Sequence, residues 1–195
     1  MQTAIEPAKI PVVLLYNINP EWTQKEQEEV IRQSTELGNA LQETGYPVST
    51  VCIQNDDIAS ALRDFAPDQY IIFNWCEDIP GVEHGEWLVA RKLEELGYTF
   101  TGAASTALAL AYDKQKVKNL LDQAAIPTPA WRIFNAPDGQ DWNIFPAIVK
   151  PQNEHCSAGI TPESVVMNQE DLKKRISFIL AQYSQPALVE DFIDG

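Results

Sequence analysis

Residues 11–53, PVVLLYNINPEWTQKEQEEVIRQSTELGNALQETGYPVSTVCI, pass from a strand-like period to a helical one and back, and that passage decides the fold class. PVVLLY (11–16) is a compact β-prone run that ends in a polar loop. Thr23 and Glu26 stand at capping-box spacing, Val30, Leu37 and Leu41 recur at helical spacing, and Gly45 supplies the stop. YPVSTVCI (46–53) then reads as a second strand. Farther on, Asp57 can cap a short helix carrying Ile58, Leu62 and Phe65, which ends before Pro67. QYIIFN (69–74) is a third strand, apolar enough for burial on both faces. A helix over Glu83–Leu96 sets Val89, Leu93 and Leu96 on one side, with Gly97 as its stop. The order β-α-β-α-β-α predicts an α/β unit over residues 1–100, a Rossmann-like parallel sheet with helices on both faces.

After Thr99 the rhythm changes. Ser105 can cap a short Ala/Leu helix, and Asp113 a second one in which Val117, Leu120, Leu121 and Ala124 repeat at i, i+3, i+4 and i+7. IPTP (126–129) closes that helix, because proline disfavours helix at the residue before it. AWRIFNAPDGQDWNIFPAIVKP (130–151) reads as a strand, a turn around Pro137–Gly139 and a second strand ending at Lys150. A polar loop to Gly159 leads to ESVVM, then to a helix with Leu172, Ile176, Ile179 and Tyr183 on one face, then to PALVEDFIDG. Residues 101–195 are therefore expected to form an α+β unit of antiparallel character.

Composition narrows the function classes. With 195 residues, 45% apolar and 22% charged, the chain is long enough for a sizeable core and lies in the range of one to two domains at ~150 residues each. A net charge of −14 argues against a nucleic-acid surface or an anionic-membrane surface, since neither partner is attracted to it. One small anionic ligand is still compatible, because two well-placed lysines decide that locally. The longest apolar run, Ile10 to Tyr16, is too short to span a bilayer, and no basic segment precedes it as in a secretory signal. Cys52, Cys76 and Cys156 are odd in number and widely spaced, which fits reduced thiols and a cytoplasmic setting better than a disulfide framework or a zinc knuckle. His84 and His155 form no metal-ligand pair, and His84 reads as a surface or loop histidine.

Three ionisable residues of the second unit stand out. Lys114 falls in the first turn of a helix, where the macrodipole prefers an acid. Lys150 ends an apolar strand directly before Pro151, and Glu190 sits inside the apolar ALVEDFI. Each has an ordinary reading: a solvated helix lysine, a strand-end lysine replaceable by Ala within about 0.5 kcal/mol, and a solvent-facing strand position. Their order, and the Ser/Gly loop NEHCSAG that follows the second lysine, set them apart.

The segment YTFTGAASTALALAYDKQKVKNLLDQAAIPTPAW resembles the TG turn, D-K helix and P-T-P exit of D-alanine–D-alanine ligases and their ATP-grasp relatives. FPAIVKPQNEHCSAGI is similar to that family's strand–KP–loop over the triphosphate, and LVEDFIDG to its adenine hinge. These motifs are collinear over residues ~98–195. The resemblance implies a pre-ATP-grasp N-terminal domain, an ATP-grasp small subdomain, and ATP with Mg²⁺ as cofactors. Lys114 and Lys150 would then touch nucleotide phosphates as point charges. The loop Glu154–Gly159 would fold over the β/γ-phosphates with backbone N–H groups and the Ser157 hydroxyl, with His155 as an alternative donor. Glu190 would accept the adenine amino hydrogen, while Phe192 and Ile193 meet the ring edge and Phe192 packs on its face.

Some positions depart from the family pattern. His155-Cys156-Ser157 stands where many of these ligases have Gly-Ser-Ser, YNINPEW lacks their glycine pair and acid, and FNWCEDIPGVEHGEW replaces their histidine–glycine turn. The family also continues well past the hinge with a C-terminal lobe that carries the magnesium ligands. No metal ligand is therefore expected here, catalytic residues stay unassigned, and the 195-residue chain is expected to be inactive alone. What is implied is the ATP-binding portion of a carboxylate–amine ligase that works through an acyl phosphate on small substrates. The alternative is a non-catalytic ligand- or protein-binding module that keeps the fold. A homodimer is one assembly left open.

Overall fold

Val13, Leu14 and Leu15 have no solvent-exposed surface, which puts the strand that carries them, β1 (Val12–Asn17), in the interior of a sheet. The structure, a computed structural model, describes residues 10–79, 82 and 85–194. Its contacts divide the chain into two units, Met1–Leu108 and Ala109–Gly195. In the first unit β1 pairs in parallel with β2 (Val48–Ile53) on one side and with β3 (Ile71–Trp75) on the other. The short β4 (Thr99–Phe100) extends β3, again in parallel, to give the order β2-β1-β3-β4. Each parallel step needs a crossover, and α1 (Gln24–Glu43), α2 (Ile58–Ala61) and α3 (Glu86–Glu95) occupy those places. A core of Val13, Leu15, Ile53, Ile58, Leu62, Ile72, Val89 and Leu93 binds these layers together.

The local signals act much as the sequence suggests. Thr23 and Glu26 make the reciprocal bonds of a capping box, and the Asp57 side chain caps α2 by accepting from the Ser60 N–H. The centre of the α1 stripe differs, since Ser34 and Gly38 are its buried residues while Val30, Leu37 and Leu41 flank them half-buried. A Cβ on Gly38 would lie 3.6 Å from Leu14 Cδ2, so small residues set how closely α1 approaches the sheet. Glu83, the expected start of α3, His84 and the terminal Gly195 lie outside the described residues.

Helix α4 (Ser105–Tyr112) is followed at once by α5 (Lys114–Gln123). Ser105 is the first residue of α4 and not its cap: its N–H and Oγ both donate to the Glu94 carboxylate, at 2.8 and 2.6 Å. The second unit holds β5 (Trp131–Phe134), β6 (Ala147–Pro151), β7 (Val165–Val166) and β8 (Ala187–Asp191) in an antiparallel sheet ordered β5-β8-β6-β7. Helix α6 (Gln169–Tyr183), capped by the Asn168 side chain, buries Leu172, Ile176 and Ile179 in this unit's core with Val149 and Val189. Tyr183 packs against that cluster half-buried.

The helical face expected of α5 is rotated. Leu120 is 48% exposed and Ala124 is exposed, whereas Lys118 is buried. Apolar spacing selects the wrong stripe because the partner of this face is a carboxylate.

Val149 pairs with Val189 across the central strands and is fully buried. Val149→Asp leaves a charge there with no partner and is expected to cost about 3–5 kcal/mol. Gly159 has φ +71°, and a Cβ there would lie 2.7 Å from Pro151 Cγ and 2.9 Å from Tyr183 Cζ. Gly159→Ala is therefore expected to cost about 1–3 kcal/mol. Urea unfolding followed by circular dichroism checks both values, and a Gly159→Ala chain as stable as the parent would remove the steric account of this glycine.

Candidate functional site

Asp113 terminates α4 and caps α5, its carboxylate accepting from the Lys116 N–H at 3.0 Å. That cap fixes the direction of the next turn and so the position of Lys114. The Lys114 ammonium donates to the Pro151 carbonyl at 3.0 Å and to the Glu154 carbonyl. Its backbone N–H donates to the Gln152 carbonyl at 3.2 Å, so the start of α5 is tied to the end of β6 at several points. Burial holds the Lys114 ammonium below the ordinary lysine range; neighbouring Lys150 lowers it further, while the Glu154 carboxylate opposes the shift.

Lys150 and Glu190 meet by register. Glu190 on β8 lies opposite Ile148 on β6, so Lys150, two residues along the same face, is its diagonal neighbour. The Lys150 ammonium stands 2.5 Å from Glu190 Oε2, and the Lys118 ammonium contacts Oε1 of the same carboxylate. Glu190 is only 5% exposed, which excludes a solvent-facing strand position. Burial pushes its carboxyl up, but the two ammonium groups outweigh burial and hold it below the ordinary carboxylate range. Because Lys150 pairs with a buried acid, Lys150→Ala carries an expected cost of about 1–3 kcal/mol, more than for a solvated lysine.

A cavity of about 340 Å³ lies over this cluster, lined by Lys114, Lys150 and the loop residues Glu154, His155, Cys156, Ser157, Ala158 and Ile160. Four of the residues expected at a nucleotide, Lys114, Lys150, Glu154 and Ser157, thus come to one place. Among the described residues the Ser157 hydroxyl has no hydrogen-bond partner, so a ligand can use it. Two cations, a free hydroxyl and a polar loop are a donor set suited to a polyphosphate.

Other expected residues sit elsewhere. Gly159 turns against Pro151 and Tyr183, and its carbonyl accepts from Arg175 at 2.6 Å, which makes it a packing point of the loop. The Phe192 N–H is committed to the Pro146 carbonyl at 3.0 Å, so Ile193, which is exposed, is the hinge residue able to meet a ring edge. Both ring nitrogens of His155 are engaged within the protein, with Tyr112 Oη at 2.6 Å and Cys156 Sγ at 2.8 Å. Lys118 was not singled out in the sequence; the signal available was its i, i+4 spacing from Lys114, which sets two lysines on one helical face.

In the first unit, the C-terminal end of the parallel sheet gathers polar side chains. Asn17, buried at the end of β1, donates to Asp78 and accepts from the Glu77 N–H at 2.9 Å, while Asn19 reaches the other Asp78 oxygen at 3.5 Å. Open α/β sheets bind ligands at this end. Among the described residues no three His, Cys, Asp or Glu side chains gather as a metal site would require, and no helix is long and apolar enough to cross a membrane.

No family model matches the chain. It is 31% identical over 163 residues to the uncharacterized protein y4sG of Sinorhizobium fredii (strain NBRC 101917 / NGR234), covering 80% of this chain and 47% of that protein. It is 28% identical over 173 residues to the D-alanine–D-alanine ligase of Aquifex aeolicus (strain VF5), covering 87% of this chain and 56% of the ligase. The crystal structure of the Bacillus anthracis D-alanine–D-alanine ligase complexed with ATP superimposes with a TM-score of 0.65 at 18% identity, over 95% of this chain and 57% of that one. That likeness shows the fold, which is of the ATP-grasp type. Within that class the chain is D-alanine–D-alanine ligase-like, a relationship carried by its sequence relatives. It spans about half the length of the curated relatives it matches.

The Glu190 ion pairs give stability a defined pH dependence. A carboxyl whose folded value is depressed contributes its full stabilisation above the unfolded value, ~4.3, and loses it as pH falls through the lower folded value. The parent chain should therefore exceed Glu190→Gln in stability at pH 7, and by a smaller margin at pH 3. Urea midpoints at both pH values check this; a gap that does not narrow in acid assigns the difference to packing.

Proposed function

We propose that the chain is the ATP-binding portion of a carboxylate–amine ligase of the D-alanine–D-alanine ligase kind, acting through an acyl phosphate. The observation that carries this reading is the pair Lys114 and Lys150 under the Glu154–Gly159 loop, beside an ionised carboxylate on the neighbouring strand. The two ammonium groups offset polyphosphate charge, and the Ser157 hydroxyl with loop N–H groups orients it. Glu190 accepts from the amino group of adenine, with the exposed Ile193 at the ring edge.

ATP supplies the phosphoryl group that activates a substrate carboxylate, and this chain's residues bind and orient that group. Magnesium is proposed as the companion of the nucleotide, with its ligands expected in the C-terminal lobe that the family resemblance implies. The substrates are proposed to be a small carboxylic acid and a small amine. Three free thiols support a reducing, cytoplasmic setting.

ATP binding measured by calorimetry tests this reading. The parent chain should bind ATP, and Lys114→Met or Lys150→Met should each weaken it roughly tenfold or more, about 1.4 kcal/mol per tenfold. Because the Lys114 ammonium loses its proton below the ordinary ~10.4, affinity should fall on the alkaline side before that value, and Lys114→Met should abolish this limb. A parent chain with no affinity for ATP at millimolar concentration would overturn the proposal and leave the non-catalytic module.

A further inference from the structure

Two lysines hold one buried carboxylate, and their surroundings make them unequal. The ammonium of Lys118 has three donors and three acceptors in reach: Glu190 Oε1, Thr128 Oγ1 at 2.5 Å and the Pro129 carbonyl at 3.5 Å. Its side chain is 10% exposed, and it does not line the cavity. Lys118 is therefore satisfied where it stands and has no path to a ligand.

Lys150 is the opposite case. Its side chain is 28% exposed and lines the cavity, and its ammonium has Glu190 as its sole hydrogen-bond partner among the described residues. Two of its three N–H donors remain for an incoming anion. If Lys150 moves toward that anion, a buried carboxylate is left behind, which costs several kcal/mol unless another cation stays on it.

We propose that Lys118 is the permanent counter-ion of Glu190, a positioning residue that allows Lys150 to leave the carboxylate for a bound polyphosphate. Departure of Lys150 also frees Glu190 Oε2 as an ionised acceptor on the strand that leads to the hinge. Binding of the anion and preparation of the acceptor are thus one event. The inference deepens the nucleotide reading and rests on it for the identity of the ligand, but the exchange itself is probed by a polyphosphate without a base.

The charged groups facing Glu190 are Lys118 and Lys114 from α5 and Lys150 from β6; its register partners, Trp131 on β5 and Ile148 on β6, do not titrate. Without Lys118, Glu190 would depend on Lys150 alone, and Lys150 could then leave for an anion only if Glu190 took up a proton, which acid favours.

Inorganic tripolyphosphate, titrated calorimetrically in metal-free buffer, tests the exchange. Glu190→Gln, which no longer competes for Lys150, should bind tripolyphosphate at least threefold tighter than the parent at pH 8. Lys118→Met should bind it at least tenfold more weakly, and the double variant should return to within threefold of Glu190→Gln. The tenfold deficit of Lys118→Met should shrink at least threefold at pH 6, a change that a merely structural role would not produce. The proposal is overturned if the double variant keeps the deficit, or if the deficit is equal at both pH values. If Lys118→Met does not fold, the parent and Glu190→Gln decide alone, and equal affinities overturn it. A parent that binds tripolyphosphate but not ATP overturns the nucleotide reading and leaves the exchange standing.

Discussion

A carboxylate buried in the central strand of a four-stranded sheet is the constraint on which the second unit depends. Taken out of water alone, an ionised Glu190 would cost more than a small unit can supply. It is stable because Lys118 approaches from α5 and Lys150 from β6, one on each oxygen. That requirement fixes three elements against one another. The register of β6 on β8 must place Lys150 diagonally, and α5 must end its first turn where Lys118 can reach. The Asp113 cap and the turn through Thr128 and Pro129 meet that condition from either end of the helix.

The same constraint concentrates positive charge in an acidic protein. A chain of net charge −14 repels polyanions over most of its surface. Near the cavity, however, Lys114, Lys118 and Lys150 face a single internal acid, so the immediate environment carries an excess of cations. Glu154, which also lines the cavity and accepts from Gln185 at 2.8 Å, offsets part of that excess at Lys114.

The loop that closes the cavity has His155-Cys156-Ser157 at its turn, with no glycine before Gly159. Cys156 and Ser157 both adopt positive φ, and Gly159 follows in the same region. Residues with side chains hold such a conformation only where surroundings enforce it. Here the His155 ring packs edge-on to Tyr112 with centroids 4.6 Å apart, and the Gly159 carbonyl is gripped by Arg175, itself stacked 4.6 Å over Phe178. The loop is thus shaped by α4 and α6 as much as by its own sequence.

Local periodicity by itself determined the order of the elements apart from the short β4, the caps at Thr23, Asp57 and Asp113, the parallel character of the first sheet and the chemical classes at Lys114, Lys150 and Glu190. Those properties depend on φ/ψ preference and on side chains within a few residues of one another, which a linear pattern records. Only the tertiary structure decided that Glu190 is buried, that Lys118 and not Leu120 faces inward on α5, and that the Phe192 N–H is spent on Pro146. Each of these follows from which strand lies beside β8 and what approaches its face. Apolar spacing marks a helical stripe as buried when its partner is hydrocarbon, and is silent when the partner is a charge contributed from more than seventy residues away, as Glu190 is to Lys118.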